Sequence, residues 1–226
     1  MKIELLMNIA RTDPMPVGGR LKHFTKVWKK VIQDQWANRL LQKGLTINLI
    51  ANLGKSPHEE YVLNSEDAQM LDQELMQMLS KDTVEECPEG SQRVISPMFV
   101  VVQKKKKRPV WDGQHINTFT KKEHFKMESL GTVKETIMIE DWMTVLDIKD
   151  AFFHISLSTE AMKYLQFCWK GKIYWFKYMP FGISAAPRIF TKIIKLVLAE
   201  LRISDLRIVS YIDNFLIFGR SKQKAL

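Results

Sequence analysis

The spacing of hydrophobic positions changes character partway along the chain. Leu21, Phe24, Val27, Trp28, Val31 and Ile32 recur at helical intervals after Gly18-Gly19, and Trp36, Leu40 and Leu41 continue the stripe, which predicts a helical early segment packed by aromatics. Residues 52–64 are polar and broken by Gly54 and Pro57, and read as a linker. Ser65 followed by Glu66 and Asp67 predicts a helix start, since a hydroxyl caps free amides and acids suit the positive helix end. Ala68, Leu71, Leu75, Met78 and Leu79 then form one apolar face that ends near Lys81.

From Val94 the pattern turns to strands. Residues 94–102 read as a strand, with Pro97 pointing to an edge or a bulge, and Arg108-Pro109-Val110-Trp111-Asp112 as a second, the lysines between them forming the turn. Residues 144–148 predict a third strand, followed by the polar-aromatic turn Asp150-Ala151-Phe152-Phe153-His154. Residues 164–169 and 172–178 flank Lys170-Gly171 as a hairpin, and Ala185-Ala186-Pro187 opens a helix that runs to about Leu201. Two last strands, 207–211 and 215–218, are joined through Ile212-Asp213-Asn214, where Asp and Asn tolerate the positive φ of a tight hairpin. The chain has no internal repeats.

Composition narrows the class. With 226 residues, 46% hydrophobic and 26% charged, the chain is neither disordered, collagenous nor of low complexity, and it can bury a core as one large domain or two small ones. Cys87 and Cys168 make neither a disulfide framework nor a metal-ligand spacing, which makes a reducing compartment the default. No apolar run approaches the roughly 18 residues of a membrane span, and Glu4 interrupts the stretch that a signal peptide would need. The expectation is a soluble intracellular protein, cytoplasmic or nuclear, without a membrane partner. The net charge of +9 includes five consecutive cations, Lys104 to Arg108, and a second group at Lys22, Lys26, Lys29, Lys30 and Arg39. A solvated face and a surface for a polyanion both fit those groups, and charge alone does not choose between them.

Asp147 and Asp213 each sit in or at the end of a strongly apolar strand, where an unpaired buried carboxylate is expensive. Two such acids on neighbouring strands offset that cost by binding a divalent cation, because hard cations prefer oxygen ligands. Paired magnesium ions about 3.5–4 Å apart are a standard means of stabilising phosphoryl displacement. Asp150 lies three residues past Asp147, at a turn whose backbone amides suit a phosphate. Read without that pairing, Ile212-Asp213-Asn214 is a turn and nothing more.

These residues carry a resemblance. Val145-Leu146-Asp147-Ile148-Lys149-Asp150-Ala151-Phe152-Phe153 resembles the first catalytic palm motif of reverse transcriptases, and Met179-Pro180-Phe181-Gly182-Ile183-Ser184-Ala185-Ala186-Pro187-Arg188-Ile189-Phe190 resembles their template–primer and nucleotide-contacting motif. Tyr211-Ile212-Asp213-Asn214 stands where that family carries Tyr-x-Asp-Asp, and the segment from Ser96-Pro97 to Asp112 is similar to its fingers hairpin. The four motifs occur in order across residues 63–226. Upstream, Gly18-Gly19-Arg20-Leu21 with Phe24, Trp28, Trp36 and Gly44 is similar to the segment before the polymerase in DIRS-like, tyrosine-recombinase retrotransposons. So are His124-Phe125-Lys126-Met127-Glu128-Ser129-Leu130 and residues 169–177.

The resemblance implies an α+β right-hand polymerase: fingers and palm over 63–226, a helical N-terminal extension and linker over 1–62, and no thumb. It implies RNA-directed DNA synthesis on an RNA or DNA template with a primer, using deoxynucleoside triphosphates and Mg2+, or Mn2+ in its place. Asp147, Asp213 and Asn214 take the catalytic positions, with Asp147, Asp213 and the carbonyl of Ile148 as metal ligands. Lys104, Lys105, Arg108, Asp150, Ala151, Phe152, Phe181 and Gly182 take the nucleotide-binding positions. Phe152 would exclude a 2′-hydroxyl by volume, core packing being the other reading of that ring. Arg108 would clamp the triphosphate with its fork of donors, and Gly182 would let backbone approach the ligand.

Three departures from the family pattern accompany it. Asn214 replaces an acid and brings no negative charge. The run from Lys104 to Arg108 is shorter than the usual fingers loop, and Gln114 stands where arginine is usual. The chain stops at Leu226, directly after the catalytic hairpin, without thumb, ribonuclease H or recombinase regions. The expectation is a fragment or decaying copy of a retrotransposon polymerase with impaired activity, the alternative being a catalytically inactive nucleic-acid-binding remnant.

Overall fold

The computed structural model describes residues 16–54, 60–91, 94–103 and 106–225. The early apolar stripe is divided among three short helices, α1 (Arg20–His23), α2 (Thr25–Val31) and α3 (Gln35–Lys43). The breaks follow from the backbone. Phe24 between α1 and α2 leaves helical geometry, and Asp34 opens α3 by accepting a hydrogen bond from the Ala37 amide at 2.7 Å.

Helix α4 (Ser65–Ser80) forms where its acids and apolar face require it, burying Leu71, Leu75 and Met78. Its cap lies one residue earlier than expected: Asn64, not Ser65, accepts from the Asp67 amide, at 2.9 Å. An amide side chain on an extended residue reaches the free N–H groups, and Ser65 is already helical.

Among the described residues, eight strands make three antiparallel sheets. β1 (Val84–Glu86), β6 (Lys172–Phe176) and β5 (Gln166–Trp169) form one, in the order β1-β6-β5. At the β5–β6 turn Lys170 and Gly171 both have positive φ, 50° and 75°, as a two-residue hairpin with the right-handed strand twist requires. β2 (Met98–Gln103) and β3 (Lys106–Trp111) form a separate hairpin, in which Gln103 pairs with Lys106 and Met98 with Trp111. Strand β2 begins after Pro97 rather than at Val94; Ile95 makes only an isolated bridge to Gln166. The third sheet has the order β4-β8-β7, from β4 (Trp142–Asp147), β7 (Arg207–Tyr211) and β8 (Asn214–Gly219).

Shorter elements connect these: α5 (Gln114–Phe119), α6 (Leu130–Thr136), a 3-10 turn over Ala151–His154, α7 (Thr159–Met162) and α9 (Lys222–Ala225). The long helix α8 (Ala186–Ile203) has Pro187 in its first turn and buries Ile189, Phe190, Ile193, Ile194 and Leu198. No helix among the described residues is long and apolar enough to cross a membrane.

One buried cluster joins all of this. Trp28, Leu40 and Leu41 from the N-terminal helices share it with Leu71, Phe152, Phe167, Phe190 and Leu198. The N-terminal segment is also laced on by backbone. Leu45 donates to the Ser156 carbonyl (2.8 Å) and accepts from the Ser158 amide (2.9 Å), while Ile50 donates to Phe119 (2.8 Å). Gly44, at φ 78°, makes that approach feasible, since a Cβ there would lie 2.5 Å from the Leu157 carbonyl carbon.

At the base of the third sheet, Asp141 is almost wholly enclosed. Both its oxygens accept from Arg207 at 2.6 Å, and one also accepts from the Met138 amide at 2.7 Å. This bidentate pair fastens the start of β7 beside the start of β4. Hydrogen bonding to Arg207 holds the Asp141 carboxyl well below its usual 3.8, at about 2. Because the folded value is the lower one, the stabilisation is fully present above about pH 4 and is lost as pH falls toward 2. Asp141→Asn is expected to lower the thermal midpoint at neutral pH and to flatten the acid dependence across that window. Melting curves from pH 2 to pH 7 check both, and an unchanged acid limb would contradict this account.

Candidate active site

The corner where β4 meets the β7–β8 turn is set by strand register. Asp147, the last residue of β4, lies opposite Asn214, the first of β8. Directly opposed residues of an antiparallel pair have Cα atoms about 4.5–5.5 Å apart, with side chains on the same face. The ladder continues one step beyond the strand, where the Ile148 amide donates to the Asp213 carbonyl at 2.9 Å. Asp147, Ile148, Asp213 and Asn214 therefore meet at one corner, as the motifs require.

The turn itself departs from expectation. Positive φ falls on Ile212, at 55°, and on neither Asp213 nor Asn214. A β-branched residue in that region is strained, by about 1–3 kcal/mol. The ladder bond to Ile148 holds Asp213 against β4, which leaves the left-handed step to the residue before it.

Asp147 is exposed rather than buried, like nearly all of β4, over whose faces little of the described chain packs. Trp142, Met143, Val145 and Leu146 of the same strand are each half or more exposed. Among the described residues the Asp147 carboxylate has no hydrogen-bond or ion-pair partner, whereas Asp213 Oδ1 accepts from Asn214 Nδ2 at 3.0 Å. A mostly apolar hollow of about 810 Å³ opens beside this corner, lined by Val145, Val209, Tyr211 and Leu216.

Among the described residues no three His, Cys, Asp or Glu side chains gather as a metal cage. The donor set at the corner is two carboxylates, an amide and a backbone carbonyl. That set fits Mg2+, which usually takes one or two carboxylates and completes its shell with water and substrate phosphate oxygens.

Beyond β4 the chain turns sharply at Asp150, φ 54°, into the 3-10 turn. The Asp150 carboxylate is held by Lys81 Nζ at 3.2 Å, from the C-terminal end of α4. His154 Nε2 lies 3.1 Å from the Lys149 carbonyl, and burial keeps its ring pKa below the ordinary histidine value.

Phe152 is buried, with its ring centroid 4.6 Å from Phe181 and 5.6 Å from Phe190. It thus does pack in the core; Phe181, about half exposed, is the accessible ring of the pair. Gly182 is needed by the protein's own backbone. At φ 100°, a Cβ there would lie 2.8 Å from the Trp111 carbonyl oxygen, and a Cβ on Gly113 would lie 2.5 Å from the Gly182 carbonyl oxygen.

Asn117 of α5 latches the same turn, donating to the Gly182 carbonyl at 2.7 Å and accepting from the Ser184 amide at 2.8 Å. The motifs pointed to neither Asn117 nor Lys81, and no local pattern marks them, because their partners lie 65 to 69 residues away. Arg108 is exposed on β3 opposite Val101, without an ion-pair partner among the described residues. Its neighbour Lys107 points the other way, to Asp67 (2.8 Å) and Glu66 (2.9 Å) of α4. Lys104 and Lys105 lie outside the described residues.

The signature of reverse transcriptase (RNA-dependent DNA polymerase) matches residues 96–226, more than half of the chain. The chain belongs to the reverse transcriptase family. It is 28% identical over 126 residues to the Gag-Pol polyprotein of baboon endogenous virus (strain M7), a match covering 51% of this chain and 7% of that protein. It is 24% identical over 130 residues to Polyprotein P3 of Commelina yellow mottle virus, covering 58% of this chain and 7% of the relative. To the Transposon Tf2-7 polyprotein of Schizosaccharomyces pombe it is 28% identical over 127 residues, covering 56% and 9%. The matches thus span less than a tenth of each of these three relatives.

The close glycine contact yields a direct test of this backbone constraint. Gly182→Ala is expected to lose about 1–3 kcal/mol of stability from backbone strain and the clash with Trp111, a fall of about 2–4 °C per kcal/mol for a chain of this size. Gly54→Ala, which meets nothing within 4 Å, is expected to melt like the parent protein. Equal midpoints for the two variants would refute the constraint.

Proposed function

We propose that residues 63–226 act as the fingers and palm of an RNA-directed DNA polymerase of a DIRS-like retrotransposon, with residues 1–62 as its helical extension. The observation that carries this reading is the registration of Asp147 against Asp213-Asn214 through the Ile148–Asp213 hydrogen bond. A primer 3′-hydroxyl attacks the α-phosphate of a deoxynucleoside triphosphate paired to an RNA or DNA template. The new O–P bond forms as the α–β phosphoanhydride bond breaks, and pyrophosphate leaves.

Asp147, Asp213 and the Ile148 carbonyl would hold Mg2+, or Mn2+ in its place, which when bound neutralises phosphate charge and favours the attacking alkoxide. Arg108, with Lys104 and Lys105, meets the triphosphate, whose oxygens also find the amides of Asp150 and Ala151. The Phe152–Phe181 pair walls the sugar side, and Phe181-Gly182 borders the templating base. The ribonuclease H and recombinase activities of such an element belong to regions other than this one, and its place of work is the cytoplasm or nucleus.

Asn214 sets the level of activity. Its amide donates to Asp213 where an acid would add a third negative charge to those of Asp147 and Asp213, so the site holds a cation less tightly and extension is slow. The same contact favours a second reading, in which the chain binds primer–template without turning over.

Primer extension on an RNA template, in Mg2+ and then Mn2+, decides between the two. Asp147→Asn is expected to cost several kcal/mol of transition-state stabilisation, on the order of 100-fold or more in rate. Asn214→Asp is expected to raise extension severalfold in Mg2+ and less in Mn2+. Absence of extension product from the parent and from Asn214→Asp, in protein that still binds duplex, would retire the polymerase reading in favour of binding alone.

A further inference from the structure

Outside the catalytic corner, the described residues form a groove of about 370 Å³ between helix α3 and the start of helix α8. Arg39 and Lys43 of α3 line one side, Arg188 of α8 lines the other, and Lys121 lines it from the segment after α5. Glu123, paired with Arg188 at 3.1 Å, is the only acid of the lining, so four cations face one carboxylate. Lys192 stands over the Trp36 ring, 3.8 Å from its centroid, and this contact ties the two walls together. The backbone bonds of Leu45 and Ile50 fix the α3 wall from below. The groove is therefore a built feature with cations on both sides.

Its position matters as much as its charge. Ile183 and Ala185 line it, which places one end directly after the Phe181-Gly182 turn that Asn117 holds. A groove that carries cations from both α3 and α8 suits one sugar-phosphate backbone running along it.

We propose that this groove takes the phosphate backbone of a single nucleic-acid strand, leading it to or from the Phe181-Gly182 turn, and that supplying one of its walls is a function of the N-terminal segment. The proposal rests on the polymerase reading for the direction of the strand, since a template overhang is the single strand such a site meets. It does not rest on catalysis.

The test measures binding by fluorescence anisotropy with the full chain. The probes are a labelled primer–template with an overhang of about ten nucleotides and the blunt duplex of the same stem. Arg39→Glu/Lys43→Glu is compared with Lys22→Glu/Lys26→Glu, an equal charge change elsewhere in the N-terminal segment. All four positions are exposed, and a melting curve of each variant establishes that it folds. The groove variant is expected to weaken overhang binding about tenfold or more, to make its salt dependence shallower by about one to two units of log–log slope, and to leave the blunt duplex nearly unchanged. The control variant is expected to change overhang binding much less.

Equal losses for the two variants, or equal losses on blunt and overhanging probes, would overturn the proposal in favour of diffuse attraction or duplex docking. No loss at all would overturn it outright. An overhang-specific loss in a chain that never extends a primer would uphold the groove while the polymerase reading fell.

Discussion

The indole of Trp111 is the hinge of the structure. Its Nε1–H donates to the carbonyl of Gln166 at 3.2 Å, and Gln166 is wholly buried. The same glutamine accepts from the Ser96 amide through its carbonyl (2.9 Å) and from the Val94 amide through its side chain (3.0 Å). One buried polar residue on β5 thus fastens the incoming and outgoing strands of the β2–β3 hairpin to the β1-β6-β5 sheet. A buried amide left without these partners would cost about 1–3 kcal/mol per group. Trp111 in turn presents its carbonyl and ring to Gly182, Gly182 fixes Phe181, and Phe181 covers Phe152. The geometry around the Phe181-Gly182 turn descends from a contact several residues removed from it.

The Asp147–Asp213 corner has a different origin. It depends on sheet register, with β4 and β8 paired from Trp142–Gly219 to Asp147–Asn214 and the β7 end pinned by Arg207 on Asp141. The two halves of the site are therefore held by independent means, packing on one side and hydrogen-bonded ladder on the other. That separation explains how an amide can stand at Asn214 without disturbing the fold: its side chain bonds the adjacent carboxylate, and the ladder bond beside it runs through backbone.

Elements that carry their own punctuation were legible from sequence: the acids at the head of α4, Lys170-Gly171 between β5 and β6, and Pro187 at the start of α8. Each is decided by neighbours within a few residues. The misplacements have one local cause and two distant ones. Asn64 displaces Ser65 as cap because the chain enters α4 extended one residue sooner. Ile212 takes the left-handed step because β4 holds Asp213. Asp147 is exposed because little of the described chain packs over β4, which no local pattern encodes. The four family motifs stand in order in the sequence, yet nothing there marks Asn117 or Lys81, since a latch made by a side chain 65 residues away leaves no trace in spacing.

Strand β4 combines an open hydrogen-bonding edge with Trp142, Met143, Val145 and Leu146 in contact with solvent. Such an edge is a template for pairing with another chain. At low ionic strength the net charge of +9 keeps molecules apart. Added salt shortens the reach of that repulsion to about 8 Å at physiological strength and leaves the apolar edge as sticky as before. Colloidal behaviour and ligand affinity thus respond to the same variable in opposite senses: salt that releases a polyanion also favours self-association. A titration in salt becomes interpretable once particle size is followed alongside it, and a low protein concentration is the condition under which the two effects separate.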